Sequence, residues 1–221
     1  MRKILLTTII SSLLAACSSD DNNTTTNTDN DNLSYPVLEN DNTPSIDTSR
    51  GDYACYTMST SLGDVELAID EKYAPSTAIN FDVYVSAGFY DGLIFHRVVE
   101  GFVVQGGGFE PGLLARETMN PVVIESRNGL KNYRGRLAMA RTSNPNSATS
   151  QFYINTVDNH FLDQPNATDG YGYTVFGGVI SGMDVIDQIE MVDVGNAGGF
   201  TNVPVEDVLI NSIVQNDCPN L

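Results

Sequence analysis

The sequence is poor in basic residues and in the side chains that most often bind metals. Its 221 residues contain 11 Lys and Arg against 28 Asp and Glu, which gives a formal net charge of −17. A surface this acidic repels phosphate backbones, so the composition argues against a nucleic-acid partner. With only two His and three Cys, a His/Cys metal cage is not expected either. We therefore expect neither nucleic-acid binding nor a metal site.

Several common catalytic motifs are also missing. The chain has no Gly-x-Ser-x-Gly elbow, no His-Glu-x-x-His pair and no Cys-x-x-Cys pair. The glycine run over 106–108 lacks the Lys and Ser/Thr of a phosphate-binding loop, so it predicts a bulge or a close backbone contact instead. His96 and His160 lie 64 residues apart. Each is better explained as a hydrogen-bonded structural histidine than as half of a catalytic pair.

The N-terminal apolar run is too short to span a membrane as a helix. It has 13 residues over 4–16, whereas a hydrocarbon core of ~30 Å needs ~20. It follows a basic Met-Arg-Lys start, as the apolar region of a secretory signal peptide does. It ends in Leu-Ala-Ala before Cys17, which resembles the bacterial lipobox. We expect a signal peptide over 1–16 and a lipidated Cys17; an ordinary signal peptide with an incidental cysteine is the alternative.

A polar and acidic segment follows Cys17. Of the 17 residues over 18–34, 16 are Ser, Asp, Asn or Thr. Such a segment buries too little apolar area to fold, so residues 17–50 are predicted to form a disordered tether that reaches about 30 Å. Lipidation would anchor the protein to a membrane, and Ser rather than Asp at position 18 favours the outer membrane, facing the periplasm. In a Gram-positive cell the corresponding place is the outer leaflet of the cell membrane.

The pattern over 51–221 predicts one folded domain made mostly of short strands. Residues 53–70 alternate around Leu62-Gly63-Asp64, which indicates a β-hairpin. Seven or eight strands with only two helices favour a β-barrel closed at its ends by helices, although strand content alone does not separate a barrel from a sandwich. The further predicted strands are LIFHRVV at 93–99, FVVQGG at 102–107, RLAMA at 136–140, QFYINT at 151–156, YTVFGGVI at 173–180 and DVLINSIV at 207–214.

Two stretches have the apolar spacing of amphipathic helices. The first begins at Pro75 and stops at Gly88, as the preferences of proline and glycine at helix ends suggest. The second covers 181–192, where Ser181 and Asp184 resemble a capping box. The residues predicted to share a face are Ile79, Val83 and Ala87 in the first helix and Met183, Ile186 and Ile189 in the second.

One stretch, residues 95–108, stands out chemically. If it forms a strand, a Gly-Phe turn and a second strand, then Arg97, Phe102 and Gln105 converge on one concave surface. A cation, an aromatic wall and a neutral amide are poorly suited to acid–base or nucleophilic catalysis, but they suit the binding and polarisation of an uncharged, dipolar group. A surface ion pair is the structural alternative for Arg97 in so acidic a chain, and spacing alone does not separate the two.

The sequence FHRVVEGFVVQGGGFEPG over 95–112 resembles the signature of the cyclophilin family of peptidyl-prolyl isomerases. Downstream, RGRLAMARTSNPNSATSQFYINTVDNHFLD and YGYTVFGGVISGMDVIDQI follow in that family's order, and MARTSNPNSAT is most similar to the bacterial branch. The resemblance covers residues 53–215. It implies a mainly β fold, an eight-stranded antiparallel barrel capped by two α-helices, and an isomerase that needs no cofactor.

The resemblance also implies roles for individual residues. Arg97 stands at the family's catalytic arginine, and Gln105 at the glutamine that supports this arginine and the substrate backbone. Ala140 and Arg141 fall where an extended strand presents backbone groups to the peptide, with Gln151 at a second polar wall. The pocket for the substrate proline corresponds to Phe102, Val103, Tyr153, Phe161 and Leu162, and Tyr173 occupies a position that is His in some members.

Four departures from the family pattern affect these assignments. Val103 replaces the usual Met and trims the pocket wall, while Tyr153 replaces the usual Phe and adds a hydroxyl that needs a partner. Phe161 replaces the Trp of many eukaryotic members, so an indole N–H donor is absent. One extra residue within 139–150 leaves the assignments over 142–149 open.

Two cysteines, Cys55 and Cys218, remain if Cys17 carries lipid. They lie near the first and last predicted strands, which the resemblance puts side by side. In an oxidising compartment we expect them to form a disulfide that ties the ends of the barrel together. Two unpaired thiols are the alternative.

Together these features predict a monomeric peptidyl-prolyl cis-trans isomerase. Its expected partners are proline-containing polypeptides, among them unfolded or partly folded envelope or secreted proteins whose folding it assists. Two other functions stay open at this point. A membrane-tethered proline-peptide binding module or chaperone with little turnover would keep the apolar pocket but lose the polarising cation. A purely structural envelope lipoprotein would leave the convergence of Arg97, Phe102 and Gln105 unexplained.

Overall fold

A computed structural model describes residues 52–219. The expected signal peptide over 1–16, the lipidated Cys17 and the tether over 17–50 lie outside the described residues. Between residues 52 and 219, no helix combines the length and the apolar character needed to cross a membrane.

The described residues form twelve strands, two α-helices and one 3-10 turn. The helices are α1, Pro75–Ser86, and α2, Met183–Glu190, and the turn is His160–Leu162. The strands are β1 Tyr53–Thr60, β2 Gly63–Asp70, β3 Leu93–Val99, β4 Val103–Gly106, β5 Phe109–Glu110, β6 Leu114–Ala115, β7 Arg136–Met139, β8 Phe152–Asn155, β9 Val175–Ser181, β10 Val194–Ala197, β11 Phe200–Pro204 and β12 Leu209–Asn216.

Eight of these strands close into an antiparallel barrel. Their order around the ring is β1-β12-β3-β4-β8-β7-β9-β2, and every neighbouring pair is antiparallel. The expected eight-stranded barrel with two helices is therefore confirmed. The predicted hairpin over 53–70 is also present as β1 and β2, which pair from Tyr53 and Asp70 to Thr60 and Gly63.

The barrel interior holds the main hydrophobic core. Successive side chains of a strand point to opposite faces, so one residue in two enters this core. Aromatic rings fill much of it, with the Tyr90 ring centroid 5.4 Å from that of Phe81 and 5.6 Å from that of Phe152. The inward residues of the strands that matter below are Phe95, Val98, Val104, Leu137, Phe152, Ile154 and Phe176.

Helix α1 packs on the barrel with a face that differs from the predicted one. Pro75 occupies its first turn as expected, but Ile79 and Val83 are 66% and 44% exposed. The buried face carries Phe81 and Tyr84, among others. The helix has two apolar stripes. The stripe with the aromatic side chains buries more apolar surface, so this stripe packs against the barrel core.

Helix α2 begins differently from the predicted capping box. Ser181 is the last residue of β9, and Gly182 precedes the helix in the left-handed region, with φ of 87° and no side-chain cap. A Cβ at Gly182 would lie 2.6 Å from the carbonyl oxygen of Asp64, so this close approach requires glycine. Ile186 and Ile189 are buried on the predicted face, with Met183 half-buried beside them.

A bulge in β3 breaks the strand's alternation next to the glycine run. Phe95 pairs with Gly106 and Arg97 with Gln105, which leaves His96 as the extra residue. A Cβ at Gly106 would lie 2.9 Å from the Phe95 ring, so the glycine makes room for that side chain. The bulge leaves both His96 and Arg97 outside the barrel core.

Two short ribbons, β5–β6 and β10–β11, cover His96 from outside the barrel. The sequence patterns do not predict these ribbons. The imidazole lies 4.6 Å from the ring of Phe109 and 6.4 Å from that of Phe200, and His96 is only 3% exposed. Burial, helped by the charge of Arg97, lowers the pKa of His96 to about 4. His96 is thus a structural histidine that stays neutral in the folded protein.

A disulfide joins the two ends of the described chain. Cys55 of β1 is bonded to Cys218, just beyond the end of β12. In the ladder between these strands Cys55 pairs with Asn216, so the second cysteine is only two residues past its partner. The bond therefore links two segments that the barrel already brings together.

Acidification is expected to destabilise the fold through His96. The unfolded chain takes up this proton near pH 6.5, whereas the folded protein resists it down to about pH 4. Stability should therefore fall as the pH drops through this window, by up to about 3 kcal/mol from this residue. Denaturant titrations between pH 7 and pH 4 on the wild type and His96→Gln test this. Equal pH slopes for the two proteins would contradict it.

Loss of the disulfide is expected to lower the free energy of unfolding by up to about 5 kcal/mol, because the bond closes a loop of 163 residues. The double variant Cys55→Ala/Cys218→Ala should unfold at lower denaturant concentration than the unreduced wild type. Peptide mapping without reductant checks the bond itself. Recovery of peptides with free thiols at both positions would count against it.

Candidate active site

The outer face of the barrel carries a row of side chains that the strand registers align. In β3 and β4, Arg97 pairs with Gln105, and Gln105 pairs with Tyr153 of β8. In β7, Ala138 pairs with Tyr153 on one side and with Val175 of β9 on the other. Strand alternation points these side chains away from the barrel core. Arg97 therefore stands at one end of an otherwise neutral row across five strands.

Arg97 lies at this surface and has no counter-ion in the part of the chain that the structure describes. Its Nη1 donates to Oε1 of Gln105 at 3.4 Å, and its guanidinium carbon lies 5.6 Å from the Phe102 ring centroid. Among residues 52–219, no carboxylate oxygen lies within 4 Å of it. The surface ion pair considered as the structural alternative is therefore not formed with any residue over 52–219. Burial lowers the pKa of Arg97 from its ordinary value, but an arginine remains protonated at neutral pH.

A pair of glutamines orients the guanidinium. The Gln105 Oε1 accepts from Arg97, and its Nε2 donates to Oε1 of Gln151 at 3.1 Å. Gly108 lets Gln151 fold back against the backbone, because a Cβ there would lie 2.5 Å from the Gln151 side chain. The glycine run thus makes room for the second amide of the Arg97–Gln105–Gln151 chain.

A second hydrophobic cluster, distinct from the barrel core, lies beside Arg97. Val103, Tyr153 and Leu162 are its buried members among the predicted pocket residues, together with Ala138 and Val175, which the sequence analysis did not identify. Phe102, Leu130, Ala140 and Tyr173 pack around them and stay partly exposed. We call these nine residues the outer cluster; they offer an apolar floor with an open side.

Phe161 stands at the edge of the outer cluster. It is 57% exposed, and its ring stacks on that of Phe102 with centroids 5.7 Å apart. The two rings therefore form one aromatic wall, and the guanidinium of Arg97 also lies near Phe102. An aromatic side chain that exposed has surface left to contact a ligand.

The extra hydroxyl of Tyr153 has a buried partner. It donates to Oδ1 of Asn132 at 2.9 Å, and Asn132 is fully buried. Burial raises the pKa of Tyr153, so the phenol stays neutral. Tyr153 thus keeps its ring in the outer cluster while its hydroxyl points into a polar layer beneath.

This polar layer consists of buried asparagines that the sequence analysis missed. Asn132 donates through its backbone N–H and its Nδ2 to Oδ1 of Asp163, and Asn155 donates to Oδ1 of Asn132. Asn159 donates to Oδ1 of Asn155 at 2.8 Å. One sequence feature does indicate this layer. Asn155 lies two residues after Tyr153 in β8, so strand alternation puts both side chains on the outer face.

Ala140 and Arg141 follow β7; the side chain of Ala140 packs on the outer cluster, but the donors of both residues are used within the protein. The Ala140 N–H donates to the carbonyl oxygen of Gln151 at 3.0 Å, so this donor is used within the barrel. The Arg141 side chain is buried, pairs with Asp169 and donates to the Gly172 carbonyl. Its guanidinium therefore supports the loop before β9 and is not free for a ligand.

Tyr173 joins this loop to the outer cluster. The Arg141 guanidinium lies 4.4 Å from its ring centroid, and its ring meets that of Tyr153 edge-on at 5.9 Å. Burial raises the pKa of Tyr173, so the phenol is neutral beside Arg97. The local charge of the site is thus that of Arg97, since the charge of Arg141 is paired.

The site combines an oriented cation, which forms no ion pair with the described residues, with an aromatic and aliphatic surface. Such a surface can hold a ring-shaped apolar group while Arg97 donates a hydrogen bond to a lone pair beside it.

Elsewhere in the described residues, a depression of about 370 Å³ lacks aromatic and aliphatic side chains. It is lined by Ser126, Arg127, Gly129, Lys131 and Gln164. No group of three His, Cys, Asp or Glu side chains within 52–219 could hold a metal ion.

Comparison with known proteins places this site in context. The family model described as cyclophilin type peptidyl-prolyl cis-trans isomerase matches residues 55–215. The chain is 50% identical over 158 residues to peptidyl-prolyl cis-trans isomerase B of Escherichia coli, covering 71% of this chain and 96% of that protein. It is 51% identical over 156 residues to a peptidyl-prolyl cis-trans isomerase of Acinetobacter baylyi, covering 71% of this chain and 82% of that protein.

The fold has a matching solved structure as well. A cyclophilin-type peptidyl-prolyl cis-trans isomerase of Cryptosporidium parvum, crystallised in the presence of the dipeptide Ala-Pro, is similar with a TM-score of 0.64 and 25% identity. The alignment covers 74% of this chain and 99% of that one. The matched range 55–215 contains the complete row of aligned side chains and the outer cluster. By sequence and by fold, the chain belongs to the cyclophilin-type peptidyl-prolyl cis-trans isomerase family.

Proposed function

We propose that the protein accelerates rotation about X–Pro peptide bonds in unfolded or partly folded envelope or secreted proteins and thereby assists their folding. The observation that carries the proposal is the Arg97 guanidinium, which no carboxylate over 52–219 pairs with and which Gln105 holds beside the outer cluster. Family membership supports the reaction type. A relative crystallised with Ala-Pro supports a proline-containing peptide as the ligand.

The reaction needs help because the peptide bond resists rotation. Amide resonance sets a barrier of ~18–20 kcal/mol, and uncatalysed proline isomerisation takes ~10–100 s at 25 °C. Rotation removes this resonance, so the proline nitrogen becomes pyramidal and gains a lone pair at the transition state. A catalyst that binds the twisted amide better than the planar one lowers the barrier.

Arg97 provides such differential binding. Its N–H groups can donate to the nitrogen lone pair, which is unavailable in the planar ground state. A hydrogen bond from a charged donor contributes roughly 1.5–3 kcal/mol, which corresponds to about ten- to 150-fold in rate. Because no carboxylate in the described residues competes for this guanidinium, its donors stay directed at the substrate.

The outer cluster supplies the second part of the acceleration. A planar amide is more polar than a twisted one, so removing water from around it favours the twisted form. Phe102, Phe161 and Leu162 would hold the proline ring against Val103 and the Tyr153 ring while the preceding carbonyl swings. No bond is made or broken, and the residues of the site bind, orient and exclude water.

The proposal also includes a cellular location for the protein. A lipidated Cys17 and a tether over 17–50 would anchor the domain to a membrane, the outer membrane facing the periplasm in a Gram-negative cell. Three acyl chains on one cysteine give durable anchoring, unlike a single chain. The disulfide between Cys55 and Cys218 supports this location, since such bonds persist in oxidising compartments. We propose that the domain acts there as a monomer.

Replacing Arg97 is expected to remove most of the isomerase activity without unfolding the protein. In Arg97→Ala, kcat/KM in a coupled proline-isomerisation assay should fall by about ten- to 150-fold, because the transition-state hydrogen bond is lost. Thermal stability should change little, since Arg97 makes no ion pair with the described residues. Arg127→Ala, an exposed arginine outside the site, is the matched control and should retain full activity.

Two results would contradict the catalytic role. Near-full activity of Arg97→Ala would show that the guanidinium is dispensable. A wild type that binds a proline peptide but does not accelerate its exchange would identify a binding module instead of an enzyme.

Replacing Cys17 is expected to release the protein from the membrane. Wild-type protein should incorporate a labelled fatty acid and fractionate with membranes, whereas Cys17→Ser should do neither, because serine has no thiol to acylate. Ser19→Ala keeps the thiol and is the matched control. Membrane fractionation of Cys17→Ser equal to that of the wild type would exclude lipid anchoring through this residue.

A further inference from the structure

The backbone around Phe102 is held from two sides by side chains outside the predicted site. Its carbonyl oxygen accepts from Nδ2 of Asn159 at 3.0 Å and from the Thr156 N–H at 3.0 Å. The N–H of the preceding Gly101 donates to Oε1 of Glu190 at 2.8 Å. The turn between β3 and β4 is thus fixed on both sides of the residue that presents the aromatic ring.

The two anchors come from distant parts of the chain. Asn159 lies 57 residues after Phe102 and directly precedes the 3-10 turn His160–Leu162, which carries Phe161. Glu190 lies 89 residues after Gly101 and is the last residue of α2. Because the same asparagine joins the Phe102 backbone to the segment before Phe161, it links the two halves of the aromatic wall.

Asn159 is buried and engaged in hydrogen bonds. It is 2% exposed, its Nδ2 also donates to Oδ1 of Asn155 at 2.8 Å, and its N–H donates to the Asn132 carbonyl at 2.7 Å. Asn132 in turn accepts from the Tyr153 hydroxyl of the pocket floor. The floor and the wall are therefore connected through one buried polar layer.

Glu190 occupies a position that helix stability does not explain. It ends α2, whose last turn has no basic residue, and the helix dipole disfavours a carboxylate at this end. Its hydrogen bond to the Gly101 N–H is solvent-exposed, so this bond adds little to the free energy of unfolding. A contact that brings little stability but fixes the turn before Phe102 points to a role in the site.

We propose that Asn159 and Glu190 are positioning residues for isomerisation: together they hold the Phe102 ring against Arg97 and Phe161. The inference rests on the proposed function. The ring stacks on Phe161 at 5.7 Å and lies 5.6 Å from the guanidinium carbon of Arg97. A small rotation of the Gly101–Phe102 turn would change both distances. Since Phe102 contacts the proline in both the planar and the twisted state, its displacement weakens binding more than it slows rotation.

The first test uses a matched pair at position 190. In Glu190→Ala, KM for a proline-containing peptide should rise about three- to tenfold with kcat nearly unchanged, because a hydrogen bond that preorganises the pocket is lost. Glu190→Gln keeps an acceptor oxygen and should restore most of the wild-type KM. Gln188→Ala, on the exposed part of α2, is the control and should match the wild type. All three variants should unfold within a few degrees of the wild type.

The second test introduces a titratable group at position 159. In Asn159→Asp the ionised carboxylate faces the carbonyl oxygen of Phe102 and Oδ1 of Asn155, so peptide binding should weaken about three- to tenfold at pH 8. A protonated carboxyl can donate again, so affinity should recover as the pH falls. The neighbouring ionisable groups, Arg134, Asp158, His160 and Asp163, are the same in both proteins. Any pH dependence that the variant adds to that of the wild type therefore reports on position 159.

The outcomes separate this inference from the proposed function. Binding of an Ala-Pro peptide is measured by NMR titration beside the kinetics, so that affinity is known without turnover. A wild type with no isomerase activity would refute the proposed function. An active wild type with unchanged KM and affinity in Glu190→Ala and Asn159→Asp would overturn the inference. So would losses of activity that simply track losses of thermal stability, or a Glu190→Gln variant as impaired as Glu190→Ala.

Discussion

Closure of the barrel is the constraint on which the site depends. Each of the eight strands is bonded on both sides, so no strand can shift its register without breaking two ladders. Fixed registers align Arg97, Gln105, Tyr153, Ala138 and Val175 across five strands, although these residues span 79 positions of sequence. The interior core keeps the ring of strands closed, and this closure fixes the positions of the side chains on the outer face. An open sheet would hold the same residues less firmly.

The candidate site carries little charge, although the protein as a whole is very acidic. With 28 acidic residues against 11 basic ones, an arginine that pairs with no carboxylate of the described domain is unexpected. Arg97 faces amides and rings, since Gln105 and Gln151 orient it while Phe102 covers one of its sides. Neutral partners fix the direction of its N–H groups without neutralising the charge, so a dipolar ligand meets the full cation. Arg141, by contrast, is paired with Asp169 and serves the loop before β9.

Alternation and turn residues were sufficient to predict the barrel strands, the first hairpin and the helix start at Pro75. These patterns did not predict features for which the local sequence is compatible with more than one structure. Helix α1 has two apolar stripes, and only packing against the barrel selects the one with Phe81 and Tyr84. The bulge at His96 and the ribbons over it depend on contacts between distant segments. The same holds for Asn159 and Glu190, because a side chain that bonds to a backbone group 57 or 89 positions away leaves no periodic pattern.

The ring order also determines where the ends of the described chain lie. β1 and β12 are neighbours, and the disulfide holds the residues at their outer ends together. β8, which carries Tyr153, stands four strands from β1 in either direction around the ring. β1 therefore lies across the barrel from Tyr153, in the middle of the row of site residues, whereas β12 borders β3, the strand of Arg97. A second enzyme or a solid support attached ahead of β1 would therefore stand farther from the site than one attached after β12.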